Sequence, residues 1–161
     1  MFDYVSYKDV ELKEKKILIR PDINSNIDIE NNRIRESPRI QALGKALEDF
    51  KECAVVVMAH QSRPGEKDFT SLKMHAEELK KYTNMNVKFV DDIFGEKAIK
   101  AIKDLKIGEV LVLENVRMWE PENKTYDDFS EAEKLEMIQA LAPLFDYIIA
   151  DAFGAAHRAQ P

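Results

Sequence analysis

Short apolar runs alternate along this chain with longer stretches of helical periodicity. Ile17-Leu18-Ile19, Val55 to Met58, Val87 to Val90, Val110 to Leu113 and Tyr147 to Ala150 are rich in Val, Ile and Leu without polar alternation. Such runs predict strands buried on both faces rather than strands with one wet side. Between them, apolar residues recur at helical spacing. Ile40, Leu43, Leu47 and Phe50 follow Ser37-Pro38, which predicts a Ser cap with Pro in the first turn. Leu72, Ala76, Leu79 and Tyr82 predict a second helix, and Phe94, Ala98, Ile102 and Leu105 a third. Ser130-Glu131-Ala132-Glu133 reads as a capping box for a fourth, carrying Leu135, Ile138, Leu141 and Phe145. The irregular stretch from Met118 to Asp128 reads as a surface loop. Strands alternating with helices imply an α/β fold: a doubly wound, mostly parallel sheet with helices on both faces. A length of 161 residues suits one such domain, spanning 1–161.

Composition removes several function classes. A formal net charge of −6 argues against nucleic-acid binding, which needs a broad basic face. No apolar run approaches the roughly 20 residues that span a bilayer, so no membrane partner is expected. The single cysteine, Cys53, permits no internal disulfide, and Met1-Phe2-Asp3-Tyr4 lacks the features of a secretory signal. A reducing, cytoplasmic setting is the expectation. The distribution of basic residues says more than their number. The lysines concentrate in the helical stretches, whereas Arg20, Arg33, Arg63, Arg117 and Arg158 fall in loops or at strand ends. Arginine is a planar fork suited to phosphate or carboxylate, so an acidic chain arranged this way points to a local anion site. Ordinary loop surface is the competing reading.

Polar residues cluster just past the strands, where parallel sheets bind ligands. Arg20-Pro21-Asp22-Ile23-Asn24 follows the first run, with Asp22 and Asn24 spaced to face one hydroxylated ligand or to form an Asx turn. His60-Gln61-Ser62-Arg63-Pro64-Gly65 follows the second, and its His and Arg either grip an anion or serve the loop's own structure. No metal site is expected at His60, because no second His or Cys has suitable spacing. Asp91-Asp92 resembles the acid pair of a Mg²⁺ or phosphoacceptor site, but a helix cap ahead of Phe94 is the better reading. Glu114 could orient an arginine while Arg117 projects into the crevice, and His75 reads as packing. Asp151-Ala152-Phe153-Gly154-Ala155-Ala156-His157-Arg158 closes the series with an acid, a glycine, a histidine and an arginine. The five glycines form neither standard nucleotide cradle, G-x-G-x-x-G or G-x-x-x-x-G-K-[ST].

Taken together these segments resemble the N-terminal domain of the phosphoglycerate kinase family. Ile19 to Asn24 is similar to its R-V-D-[FI]-N motif. Arg33-Ile34 with Ser37-Pro38-Arg39-Ile40 is similar to R-I-x-x-x-x-P-[ST]-I, one residue short before the proline. His60 to Pro64 is similar to H-L-G-R-P, Leu113 to Arg117 to L-E-N-[LV]-R, and Asp151 to Arg158 to D-A-F-G-[TA]-A-H-R. Ser62 replaces the glycine of the third motif, and Ser25-Asn26 replaces a V-P tail after the first.

The resemblance implies a Rossmann-like domain that binds 3-phosphoglycerate and faces a second, nucleotide-binding domain. That domain is expected to lie beyond this chain and to hold Mg-ATP or Mg-ADP, leaving no cofactor here. The implied activity is reversible phosphoryl transfer between ATP and the carboxylate of 3-phosphoglycerate, giving 1,3-bisphosphoglycerate and ADP. By position, the implied substrate ligands are Asp22, Ile23, Asn24, His60, Gln61, Ser62, Arg63, Arg117 and Arg158. Arg33 is the implied catalytic residue, placed at the carboxylate and the group in flight. Alone, the domain is expected to be inactive. A non-catalytic module that senses phosphorylated metabolites, or a domain whose arginines dock an acidic protein, are the competing functions.

Overall fold

All five apolar runs become strands of one parallel sheet. The computed structural model describes residues 5–126 and 129–152. In chain order it contains β1 (Lys16–Pro21), β2 (Asn26–Asp28), β3 (Arg33–Glu36), α1 (Pro38–Leu47), β4 (Ala54–Val57) and α2 (Lys73–Leu79). Then come β5 (Asn86–Phe89), α3 (Glu96–Asp104), β6 (Glu109–Val112), α4 (Phe129–Ala132), α5 (Glu136–Leu141) and β7 (Tyr147–Asp151). The sheet order is β5-β6-β4-β1-β7, and every pairing in it is parallel. β2 and β3 form a separate antiparallel hairpin. No helix among the described residues is long and apolar enough to cross a membrane.

Alternation along the strands builds two cores. Ile17, Ile19, Val55, Val57 and Val110 meet Leu43 and Leu47 of α1 and Leu79 of α2 on one face. Leu18, Val56, Leu111 and Leu113 meet Ile102 of α3 and Leu141 of α5 on the other. Both faces are therefore covered, as the uninterrupted apolar runs predict, and each fully buried side chain stabilises by roughly 1.5–3 kcal/mol. The expectation fails at the two margins. In β5 only Val87 is buried, and β7 is half exposed, with Ile148 59% exposed. These are the edge strands, which have a neighbour on one side only.

Other expectations give way to specific contacts. Ser37 precedes α1 but does not cap it; it is buried, with its hydroxyl 3.1 Å from Glu78 and 3.2 Å from Tyr82. α1 lies so close to the segment after α2 that a Cβ on Gly44 would come within 2.6 Å of the Tyr82 carbonyl oxygen. The fourth helix is broken in two: Ser130 lies within α4 rather than capping it, and Leu135 is extended ahead of α5. The stretch after Arg117 is not simply surface loop, because two short 3-10 turns carry Glu122 into the interior. Asp92 does cap α3, accepting from Ile93, Gly95 and Ala98 main-chain N–H groups at 2.8–3.1 Å.

Candidate functional site

A parallel sheet aims the loops at the carboxyl ends of its strands into one crevice. Here the loops after β1, β4 and β6 bring Asp22, Asn24, His60, Ser62, Arg63 and Arg117 to an open pocket of about 550 Å³. Arg39, Glu66, Asp68 and Ala152 complete its lining. A larger apolar groove of about 620 Å³ runs beside β7 past Tyr7, Leu43, Phe50 and Ile149, but it gathers no basic side chains. The polar pocket gathers Arg39, His60, Arg63 and Arg117, whereas a separate depression of about 750 Å³ sets Arg33, Lys73 and Lys81 beside Glu77 and Glu78.

Its side chains are anchored in distinct ways. Asp22 forms the Asx turn, accepting from the Asn24 N–H at 3.1 Å, and also accepts from Arg39 Nη1 at 3.1 Å. Arg39 donates as well to the Asn24 carbonyl at 3.0 Å. Asn24 Oδ1 accepts from the Ser62 N–H at 3.0 Å, so the first two loops touch directly. Arg117 is buried and donates from Nη1 to the Ser62 carbonyl at 2.5 Å. Ser62 sits at φ +57°, a left-handed conformation that glycine adopts without strain, and its hydroxyl donates to Asp68. Arg63 extends into solvent from the same loop.

Beneath the pocket, Arg20 pairs with Glu122, which is 1% exposed. Burial pushes the Glu122 carboxyl above the usual carboxylate range, and the attraction of Arg20, then of Arg117, opposes that rise. Among the described residues, Glu114 pairs with no arginine in the way the sequence suggests. It accepts from the Leu72 N–H at 2.9 Å and the Ser71 hydroxyl at 2.7 Å, fixing the start of α2.

Three of the residues named from sequence lie elsewhere. Ile23 is 2% exposed and belongs to the core. Gln61 is fully buried and does not line the pocket. Arg33 sits on β3, its Nε 3.2 Å from Asp28 Oδ2, and faces a separate depression with Lys73 and Lys81. The β2–β3 hairpin carries it away from the crevice, and Asp28 supplies its counter-charge. Hydrogen bonds from Asn31 and then Arg33 hold the Asp28 carboxyl below its ordinary pKa. Arg158 lies outside the described residues. Arg39, near the start of α1, lines the pocket together with Arg63 and Arg117 and is the lining arginine not named from sequence. In the motif R-I-x-x-x-x-P-[ST]-I, Arg39 falls at the [ST] position after the proline, so no letter of the motif marks it. Among the described residues, no group of three His, Cys, Asp or Glu side chains could hold a metal ion.

Comparison with known proteins bears on this geometry. The family model for phosphoglycerate kinase matches residues 7–161. A phosphoglycerate kinase of Methanocorpusculum labreanum is 43% identical over 153 residues, covering 95% of this chain and 38% of that protein. One of Methanobacterium bryantii is 42% identical, covering 98% of this chain and 39% of that protein. The crystal structure of phosphoglycerate kinase from Pyrococcus horikoshii superposes with a TM-score of 0.89 at 34% identity, over 96% of this chain and 38% of that one. The phosphoglycerate kinase structure from Coxiella burnetii gives 0.74 at 28% identity, over 98% of this chain and 37% of that one. The chain thus spans about two fifths of the length of the curated relatives it matches. With the fold, the motif order and the family model in agreement over nearly all its residues, the chain belongs to the phosphoglycerate kinase family.

Proposed function

We propose that this chain supplies the 3-phosphoglycerate site of a phosphoglycerate kinase, working in the cytoplasm with a second domain that holds Mg-ATP or Mg-ADP. The observation that carries the reading is the convergence of Asp22, Asn24, Arg39, His60, Arg63 and Arg117 on one pocket from four separate segments. His60, Arg63 and Arg117 are suited to a phosphate, and Asp22 and Asn24 to a hydroxyl. Arg158 is proposed to join the phosphate ligands. A carboxylate acceptor is already ionised at neutral pH, so transfer to it needs no general base. Positioning and charge neutralisation carry the reaction instead.

The clamp on the carboxylate is Arg39 rather than Arg33, because Arg39 lines the pocket and Arg33 lines a separate depression. In a complete two-domain protein, Arg39→Ala lowers turnover by on the order of 10²–10³, as removal of a preorganised donor does elsewhere. Alone, the chain binds 3-phosphoglycerate and transfers nothing.

An NMR titration of the chain with 3-phosphoglycerate and, separately, with ADP tests the reading. Shifts clustered at residues 20–24, 39, 60–65, 115–118 and 152–158 with the first ligand only are expected. Comparable shifts with ADP overturn the division of labour. Equal binding of unrelated phosphates would favour the anion-sensing module.

A further inference from the structure

Past the ends of the strands, where main-chain pairing stops, two buried amide side chains continue it. Asn115 reads the main chain of Gln61: its Oδ1 accepts from the Gln61 N–H at 3.3 Å and its Nδ2 donates to the Gln61 carbonyl at 2.9 Å. Gln61 in turn reads the main chain of Ser25. Its Oε1 accepts from the Ser25 N–H at 2.9 Å, and its Nε2 donates to the Ser25 carbonyl at 3.0 Å. The loops after β6, β4 and β1 are thereby stitched in series. This stitching can move the pocket. Loop 22–25 carries Asp22 and Asn24 and accepts Arg39, while loop 60–63 carries His60 and Arg63 and anchors Arg117.

The Gln61 amide has only one workable orientation, because the Ser25 N–H and carbonyl fix which end accepts and which donates. His75 is 1% exposed on α2, with Nε2 2.9 Å from Gln61 Oε1. An amide oxygen only accepts, so the imidazole must carry its hydrogen on Nε2. Flipping the amide would set its NH₂ against the Ser25 N–H and its oxygen against the Ser25 carbonyl. The tautomer leaves His75 Nδ1 buried without a hydrogen-bond partner among the described residues. A buried acceptor left in that state is a cost, which argues that the contact on the other nitrogen matters. Burial also keeps the ring neutral, pushing its pKa down to about 4.

We propose that Gln61 and His75, neither of which lines the pocket, are positioning residues that fix the spacing of loops 22–25 and 60–63 and so set affinity for the phosphoglycerate. The inference rests on the proposed substrate, but its test separates the two. In binding titrations of 3-phosphoglycerate with folded variants, Gln61→Leu weakens binding about tenfold or more, as loss of paired buried bonds implies. His75→Gln, which keeps a donor, stays within about threefold, whereas His75→Leu loses about tenfold. Were His75 only packing, the leucine variant would bind as well as the glutamine variant, and the inference would fall.

Two readouts need no ligand. A long-range ¹H–¹⁵N spectrum of the chain shows His75 as a single Nε2–H tautomer, and the Nδ1–H tautomer contradicts the proposal. Hydrogen exchange at the Ser25 amide is slow in wild type and fast in Gln61→Leu; unchanged protection contradicts it too. If wild type fails to bind 3-phosphoglycerate, the proposed function fails, and the tautomer and exchange results alone decide this inference. If Gln61→Leu does not fold, the two His75 variants decide it.

Discussion

On the β2–β3 hairpin, Arg33 and Arg35 share Asp28 while their side chains stay 71% and 65% exposed. At the base of the pocket, Arg20 is 20% exposed against an almost fully buried Glu122, and Arg117 is buried with its guanidinium on the Ser62 carbonyl. The two regions use the same residue types to different ends. The hairpin arginines are neutralised by their own acid in solvent, where such pairs are weak and screened. Arg20 and Arg117 have their stems packed and their orientation fixed, whereas Arg39 and Arg63, which line the pocket with Arg117, are exposed. Arg33 and Arg39 each pair with an acid, and they differ in which depression they line.

The largest expected difference between the regions lies in stability. Glu122→Ala strands the Arg20 guanidinium in the interior and costs about 3–5 kcal/mol. Arg33→Ala leaves the unfolding midpoint close to that of wild type. Urea denaturation of both variants checks this, and equal midpoints would erase the contrast.

Next in size is the pH dependence contributed by His75. Its pKa in the folded chain is about 4, against about 6.5 when unfolded. As pH falls, the unfolded state takes up the proton first. The stabilisation is complete above pH 6.5 and drains away towards pH 4, a change of about 3 kcal/mol at most. Glu122, with its raised carboxyl, acts with the opposite sign, so the comparison must be wild type minus His75→Gln. A difference that does not vary with pH over this window would show that the ring is not buried as neutral imidazole.

The smallest effect concerns Ser62. Glycine there relieves a left-handed backbone but loses the hydroxyl bond to Asp68. Each contributes roughly 1 kcal/mol, so Ser62→Gly changes stability by less than about 1 kcal/mol.

The sheet, its helices and the crevice were legible because burial on both faces imposes uninterrupted apolar runs, and Val55 to Val57 or Val110 to Val112 have no other use for such composition. What stayed hidden depended on long-range partners. Nothing local marks Ser37 as bound to Glu78 and Tyr82 across 41 and 45 residues, nor Glu122 as the partner of Arg20 across 102. No letter of the motif marks Arg39, and only the path of the hairpin separates it from Arg33. His75 read as packing because its helical face is apolar; its polar partner, Gln61, arrives from another loop.

Calorimetric titration of 3-phosphoglycerate into wild type, Arg39→Ala and Arg33→Ala tests the central claim most directly. With Arg39 in the pocket and Arg33 outside it, Arg39→Ala weakens binding by roughly ten- to a hundredfold, the worth of a charge-assisted contact, and Arg33→Ala changes it by less than about twofold. A larger loss for Arg33→Ala than for Arg39→Ala would return the substrate to the hairpin and contradict the site described above.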